Sequence, residues 1–474
     1  MAYEITENEM EGGAVSRGRD LTAGSIPRHL IAFAIPLLLN GILTNAYSGM
    51  NAYWVGNFLG KNPMAAITIG IWVYWLIVAP GIGVTTAANI LVAQAYGARD
   101  WAHLRRVVQN AAVLTIVVSF ACSIIGVIFI KQILHAMSTE VRVMPLATLY
   151  MKVFMWTTPP LFMIYLMSAF LLGVGDSKTS TYFMASLVVV NGILDPLLMR
   201  GLFGFPNLGL MGAAVSAMAA DILIMIVMII YLQCRYQLVA PDWGNLRSDL
   251  ETSWLMVKIG GPAMLQQFIG SFTGVFILGL VNKYGANATA GLGVGNRIDG
   301  WAFFMAMMVG NSVTALAGQN VGLRQYDRVK EVFRWGLIMA CGMTMLLLIM
   351  AVCMSDWTIH LFIKDPAVIR AGAGYLRIIG FIYVMFGIML VSNGVINGSG
   401  HTFVPTIISL IYLWGIQIPL AVFLSERMHK LEGIWYAVLI SYAVGTLLTA
   451  LYYYSGRWKK PIVKHAIDKV AEES

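Results

Sequence analysis

Apolar runs of about twenty residues, long enough for a helix to cross the hydrocarbon of a bilayer, recur a dozen times along this chain. They fall near residues 30–55, 65–91, 107–130, 153–174, 179–199 and 211–234, and again near 259–281, 294–317, 332–354, 375–396, 404–424 and 433–454. Backbone polar groups in lipid must be satisfied inside the segment, so runs of this length are helices. Only 11% of the residues are charged and the mean hydropathy is +0.74, where a soluble protein carries about 25% charge. So few charges cannot cover a soluble surface. The expected fold class is an all-α polytopic membrane protein with 12 transmembrane helices.

The net charge of +8 would suit nucleic acid if the basic residues formed one face. Instead they sit in short clusters between apolar runs, as the positive-inside rule describes. Arg99, Arg105 and Arg106, then Arg235, Arg247 and Lys258, then Arg324, Arg328, Lys330 and Arg334, then Arg457, Lys459, Lys460 and Lys464 share one side if both termini are cytoplasmic. Nucleic acid is therefore not an expected partner; membrane lipids are. The first twenty residues, "MAYEITENEMEGGAVSRGRD", lack the apolar core of a signal peptide and read as a cytosolic tail. Cys122, Cys234, Cys341 and Cys353 lie in or beside apolar runs without metal spacing, and the seven histidines are scattered. No metal site, no resident cofactor and no nucleophile–base pair is expected, so the chain does not read as an enzyme.

The chain repeats. "QAYGARD" from Gln94 returns as "QNVGLRQ" from Gln319, with Gln94/Gln319, Gly97/Gly322 and Arg99/Arg324 in phase, and "GVGDSKTS" from Gly173 returns as "GSGHTFVP" from Gly398. "AIPLLLN" from Ala34 echoes "GGPAMLQ" from Gly260. Two six-helix halves follow, and an even number of spans makes them parallel repeats. The implied division is a cytosolic tail over 1–27, one six-helix lobe over 28–234, a cytosolic connector over 235–258, a second lobe over 259–456, and a cytosolic tail over 457–474. Leu246, Leu250 and Trp254 predict a surface-lying amphipathic helix in the connector, and "PIVKHAIDKV" from Pro461 has a similar pattern.

Polar residues inside the spans mark function by default. "VVVNGILDPLLM", Val188–Met199, holds Asp195 in an apolar run, where a carboxylate costs about 2.5–3.5 kcal/mol on insertion scales. Asn191 lies one helical turn before it, on the same face. Two readings stay open for Asp195: an ion site, or a helix cap with Pro196 at the first helical position, neutralised by Arg200. Asn40, Thr44, Tyr47 and Asn51 share a face of the first span, as a cavity wall or as polar glue between helices. Asp221 is the most deeply placed acid, either functional or hydrogen-bonded to a neighbouring helix.

"MNAYWVGNFLG" from Met50, "QAYGARD", "GVGDSKTS", "NGILDPLL" from Asn191, "GLMGAAVSA" from Gly209 and "INGSGHTFVPT" from Ile396 occur in an order that resembles the multidrug and toxic compound extrusion (MATE) family. The resemblance covers nearly the whole chain after about residue 27. It implies two pseudo-symmetric six-helix bundles forming a V-shaped central cavity, and export of small amphiphilic or cationic organic compounds in exchange for H⁺ or Na⁺. It also implies that Asp195 and Asn191 line a cation-coupling site. Asn51 stands where one branch of the family has an acid on the first helix. Ser216 and Ala217 stand near an expected threonine, and Asp221 is then a candidate second carboxylate. Another branch carries acids on the seventh and tenth helices, where this chain has Gln266, Gln267 and Asn393; these join Asn40, Thr44 and Tyr47 as candidate cavity residues. Asp299 is expected at the membrane interface, at the outer start of the eighth helix.

Met-rich aromatic stretches such as "WVYW" from Trp72 and "WAFFMAMMVG" from Trp301 suit organic cations, although aromatics also crowd membrane interfaces. The expected protein is a monomeric, multi-pass antiporter of the cell membrane. The alternative is a lipid-linked precursor flippase of the related superfamily, whose cavity would need buried bases.

Overall fold

The computed structural model describes residues 18–136, 139 and 142–459, without the side chains of residues 61, 62, 65, 69, 71, 72, 75 and 76. The two tails expected to be cytosolic lie largely outside these residues, as do the side chains of Trp72 and Trp75. Helices dominate and no strand occurs among the described residues. In order they are α1 (Ile26–Leu59), α2 (Lys61–Gly97), α3 (Trp101–Ala136), α4 (Met144–Phe154), α5 (Thr158–Gly173), α6 (Ser177–Arg200), α7 (Leu210–Arg235) and α8 (Leu250–Asn282). There follow α9 (Ala286–Gly322), α10 (Tyr326–Cys353), α11 (Ser355–His360), α12 (Pro366–Ile379), α13 (Ile382–Gly398), α14 (Phe403–Ser409), α15 (Ile418–Met428) and α16 (Glu432–Tyr454). A π-helical stretch, Leu410–Gln417, joins α14 to α15.

Among the described residues, eleven segments are long and apolar enough to span a membrane, and the bent pair α12–α13, angled at 44°, makes twelve. The fourth span runs from Met144 to Gly173, about ten residues earlier than hydropathy alone suggests. Pro145 starts α4 and Pro159 starts α5, where a missing N–H costs nothing. Large apolar side chains face outward along the spans, among them Val117, Phe120, Ile124 and Ile128 on α3. That surface is stable in lipid and not in water.

The chain divides into two units. The first comprises Met1–Asp20 and Ile35–Gly261, the second Leu21–Ala34 and Pro262–Ser474. Each unit has its own apolar core. Val55, Ile130, Met151 and Met155 lie in the first, and Tyr383, Leu376 and Trp435 in the second.

The repeat is conformational as well as sequential. Arg99 and Arg324 both have left-handed backbone, at φ 57° and 56°, as do Gly175 and Gly400, at φ 88° and 90°. Glycine adopts that geometry freely and closes helix ends. After Gly175, Asp176 caps α6 by accepting from the Thr179 N–H at 3.0 Å, a turn-forming role that its motif predicts.

The amphipathic helix expected inside the connector is not separate. Residues 245–249 are not helical, and Leu250 and Trp254 instead begin α8, which continues unbroken to Asn282. Asp249 sets the start by accepting from the Thr252 N–H at 2.7 Å, and Pro262 does not interrupt the helix.

Candidate functional site

Within the first unit, α6 and α7 touch backbone to backbone. A Cβ on Gly212 would lie 2.6 Å from the Leu198 carbonyl oxygen and 2.8 Å from the Met199 nitrogen. That approach brings Ser216, one turn further along α7, against Asp195 on α6. Asp195 is completely buried. It accepts hydrogen bonds from Asn51 Nδ2 at 2.7 Å, from Tyr47 Oη at 3.2 Å, and from Ser216 Oγ. Three helices therefore converge on one carboxylate: α1 with two donors, α7 with one, and α6 holding the acid.

Asp195 is not a helix cap. α6 runs through Asp195 and Pro196 to Arg200, and the carboxylate's partners are side chains. Nor does Arg200 neutralise it, because its guanidinium sits 3.7 Å over the Phe58 ring. Three donors on an ionised acceptor form charge-assisted bonds, about twice as strong as neutral ones. They would weaken if the acid were protonated. The site can therefore translate the charge of one carboxylate into the grip between α1 and α6.

Other expected residues gather less closely. Asn191 is buried with its Oδ1 free of any partner among the described residues, one turn from Asp195. Asp221 is 4% exposed and accepts no hydrogen bond among the described residues, so it is not tied to a neighbouring helix there. Thr44 is exposed and donates to its own helix, to the Asn40 carbonyl at 2.9 Å. Asn40 keeps a buried, unpartnered Oδ1.

The family model MatE matches twice, over residues 36–197 and 262–423. The chain belongs to the MATE family. The duplicate match falls on the two halves of the repeat, and MATE proteins are transporters rather than enzymes. The chain is 31% identical to the Probable multidrug resistance protein YoeA of Bacillus subtilis, over 94% of this chain and 96% of that one. It is 25% identical to the Probable multidrug resistance protein NorM of Thermotoga maritima, over 92% and 94%. Among solved structures, a MATE transporter in a bent conformation aligns with TM-score 0.86 at 18% identity, covering 93% of this chain and 98% of that one. A Pyrococcus furiosus MOP-superfamily transporter described as having a binding pocket of reverse polarity aligns at 0.86 and 18%, covering 94% and 99%. These two likenesses carry the fold alone.

In the second unit of this MATE chain, Gln266 donates from Nε2 to Ser409 Oγ at 3.0 Å. Asn393 is buried with an unpartnered Oδ1 among the described residues. No hydrogen bond gathers Gln266, Gln267 and Asn393 into one cluster among those residues. Asp299 departs from expectation. α9 begins at Ala286, earlier than its hydropathy suggests, so Asp299 lies well inside the helix rather than at its outer start. Its carboxylate accepts from Tyr383 Oη at 2.7 Å and from Tyr375 Oη. Both tyrosines belong to the apolar core of that unit. Only the pairing of an acid in one apolar run with tyrosines in another hinted at this cluster, and sequence spacing cannot join residues so far apart.

Proposed function

We propose that the chain is a secondary active efflux antiporter of the cell membrane. It exports small amphiphilic or cationic organic compounds by alternating access, in exchange for H⁺ or Na⁺ bound at Asp195. It acts as a monomer, with both termini cytoplasmic and no resident cofactor. The observation that carries the proposal is the fully buried Asp195 carboxylate, held by Asn51, Tyr47 and Ser216 from two other helices.

The chemistry accommodates either ion. A proton on Asp195 needs an acceptor, and the Ser216 and Tyr47 hydroxyls can each rotate from donor to acceptor. The proton then removes the charge that holds α1. For Na⁺, a hard cation that prefers oxygen, Asp195, Ser216 and Tyr47 offer three donors. The Asn51 amide can turn its oxygen inward, and the Asn191 Oδ1 supplies another. Asp221, buried on α7 about one turn beyond Ala217, serves in this reading as a second carboxylate on the same path, where Asn51 carries no charge. One charge moving through 100 mV supplies about 2.3 kcal/mol, enough to concentrate an exported cation substantially.

Flipping of a pyrophosphate-linked lipid fits less well, because no lysine or arginine is buried among the described residues. The test is efflux of a fluorescent organic cation from proteoliposomes, with a pH gradient and a Na⁺ gradient imposed separately. Acceleration by one of them is expected. Efflux indifferent to both would overturn the antiport reading.

A further inference from the structure

A second polar site lies away from Asp195, in the first unit, at the end of the bundle where α3 begins and α7 has ended. A cavity of about 470 Å³ is lined by Arg105, Val108 and Gln109 of α3 and by Gln237, Leu238 and Asp242 of the connector. That volume lies in the range of small-molecule sites. Arg105 and Asp242 are both exposed, and no protein group among the described residues neutralises either. Arg105 and Asp242 face the same space, yet they form no ion pair with each other or with any other described residue. Asp242 accepts only from the Gly244 N–H, at 3.1 Å. The Gln109 Oε1 is buried without a partner among the described residues. One cation, one anion and a buried acceptor therefore wait around a single cavity.

These groups specify a ligand. Arg105 suits a phosphate oxygen. Gln109 Oε1 needs a hydrogen-bond donor, and a positively charged donor also answers the unpaired charge of Asp242. A phosphoethanolamine group carries both parts, with three N–H bonds on its ammonium. A trimethylammonium has no N–H and would leave the buried Gln109 Oε1 unmet, at a cost that discriminates between the two. The location favours a lipid over a soluble ester. The cavity sits where the spans α3 and α7 terminate, at headgroup depth. Phe120 and Ile124 continue the side of α3 that carries Gln109, and both are exposed, offering a seat for acyl chains.

We propose that this cavity is a binding site for the headgroup of an aminophospholipid such as phosphatidylethanolamine, with Arg105 on its phosphate and Asp242 and Gln109 on its ammonium. The site bridges the start of α3 and the connector, so an occupying lipid braces the segment that links the two halves of the chain.

The test is native mass spectrometry of the purified full-length protein in micelles doped with equal amounts of dioleoyl phosphatidylethanolamine, dioleoyl phosphatidylcholine and dioleoyl phosphatidylglycerol. The wild type is expected to retain the ethanolamine lipid about tenfold over the choline lipid. D242N and Q109L should each bring that ratio close to one, and R105Q should lower retention of both. Thermal unfolding of each variant confirms that it is folded. Equal retention of the two lipids by the wild type, or a preference untouched by D242N and Q109L together, overturns the proposal. Preferential retention of phosphatidylglycerol would identify an anionic-lipid site instead. Displacement of the bound lipid by soluble glycerophosphoethanolamine would assign the cavity to a soluble ester and defeat the lipid reading.

Discussion

The two units share a backbone device and differ in where they keep their acids. In the first, Gly212 packs on the Leu198 carbonyl; in the second, Gly433 packs on the Leu424 carbonyl, where a Cβ would lie 2.7 Å away. Both contacts join the last two spans of a half. In the first unit the gap beside that contact holds Asp195 and Ser216. In the second the corresponding positions, about one turn from the contact, are Ala421 and Ala437, both fully buried, and a neutral pair, Ser441 Oγ donating to Gln417 Oε1 at 3.2 Å, lies about two turns away. The second unit's acid within its bundle, the half-buried Asp299, sits instead on α9 with two tyrosines. The close-packed frame recurs in both units, and the acids do not. The asymmetry suggests that ion coupling belongs to one half and that Asp299 mainly holds its own core together.

Asp195→Asn should break this contrast most severely. It keeps the shape and removes the titratable charge, so gradient-driven efflux should fall at least about tenfold, the equivalent of about 1.4 kcal/mol in a barrier. Asp299→Asn should leave gradient dependence intact. If the two variants behaved alike in the vesicle assay, the assignment of coupling to the first unit would fail.

Gly212→Val and Gly433→Val come next. Each drives a side chain into a neighbouring carbonyl and should cost about 1–3 kcal/mol, seen as a lower melting temperature. Only Gly212→Val should also alter ion dependence, because it moves Ser216 away from Asp195. Equal ion dependence in both would separate the glycine contact from the site.

Tyr383→Phe has a smaller expected effect. It removes one donor from a half-buried carboxylate, a loss of about 1–2 kcal/mol, with wild-type ion selectivity in the surviving protein. A changed choice between H⁺ and Na⁺ would promote Asp299 from scaffold to coupling site.

The smallest effect concerns how each half is entered. Residue Leu21 is clasped by neutral groups: its N–H donates to Gln319 Oε1 at 3.0 Å, and Asn320 Nδ2 donates to its carbonyl at 3.3 Å. The approach to α8 is clasped through Asp249, which takes the Asn110 Nδ2 at 2.9 Å. Partial burial pushes the Asp249 carboxyl up. Hydrogen bonds from Thr252 and Asn110 and the charge of Arg106 outweigh that, and hold it below the usual carboxylate range. A group lowered on folding contributes stability above its unfolded value, about 3.9, and loses it as pH falls through the folded value. Hydrogen exchange at 248–252 should rise on acidification, while exchange at 21–24 should not rise from this cause. Asp249→Asn should show the loosened state already at neutral pH. Exchange rising equally at both segments would remove Asp249 as the source.

The sequence by itself determined the class of fold, the number of spans and the duplication, and it singled out Asp195 as a candidate. Those follow from local physics: lipid demands apolar helices of fixed length, and a carboxylate in such a helix stands out by its cost. It also put Asn51 and Tyr47 on one face, because helical spacing is rigid. Tertiary structure decided what that face meets. Nothing in the spacing of residues 47, 51, 195 and 216 says that they converge. That depends on Gly212 allowing two backbones to touch, which is a property of packing rather than of pattern. The same holds for Asp299, placed at an interface by hydropathy but drawn into the core by a longer helix and two distant tyrosines. Helix ends and side-chain partners are set by contacts far apart in the chain, and no local pattern encodes them.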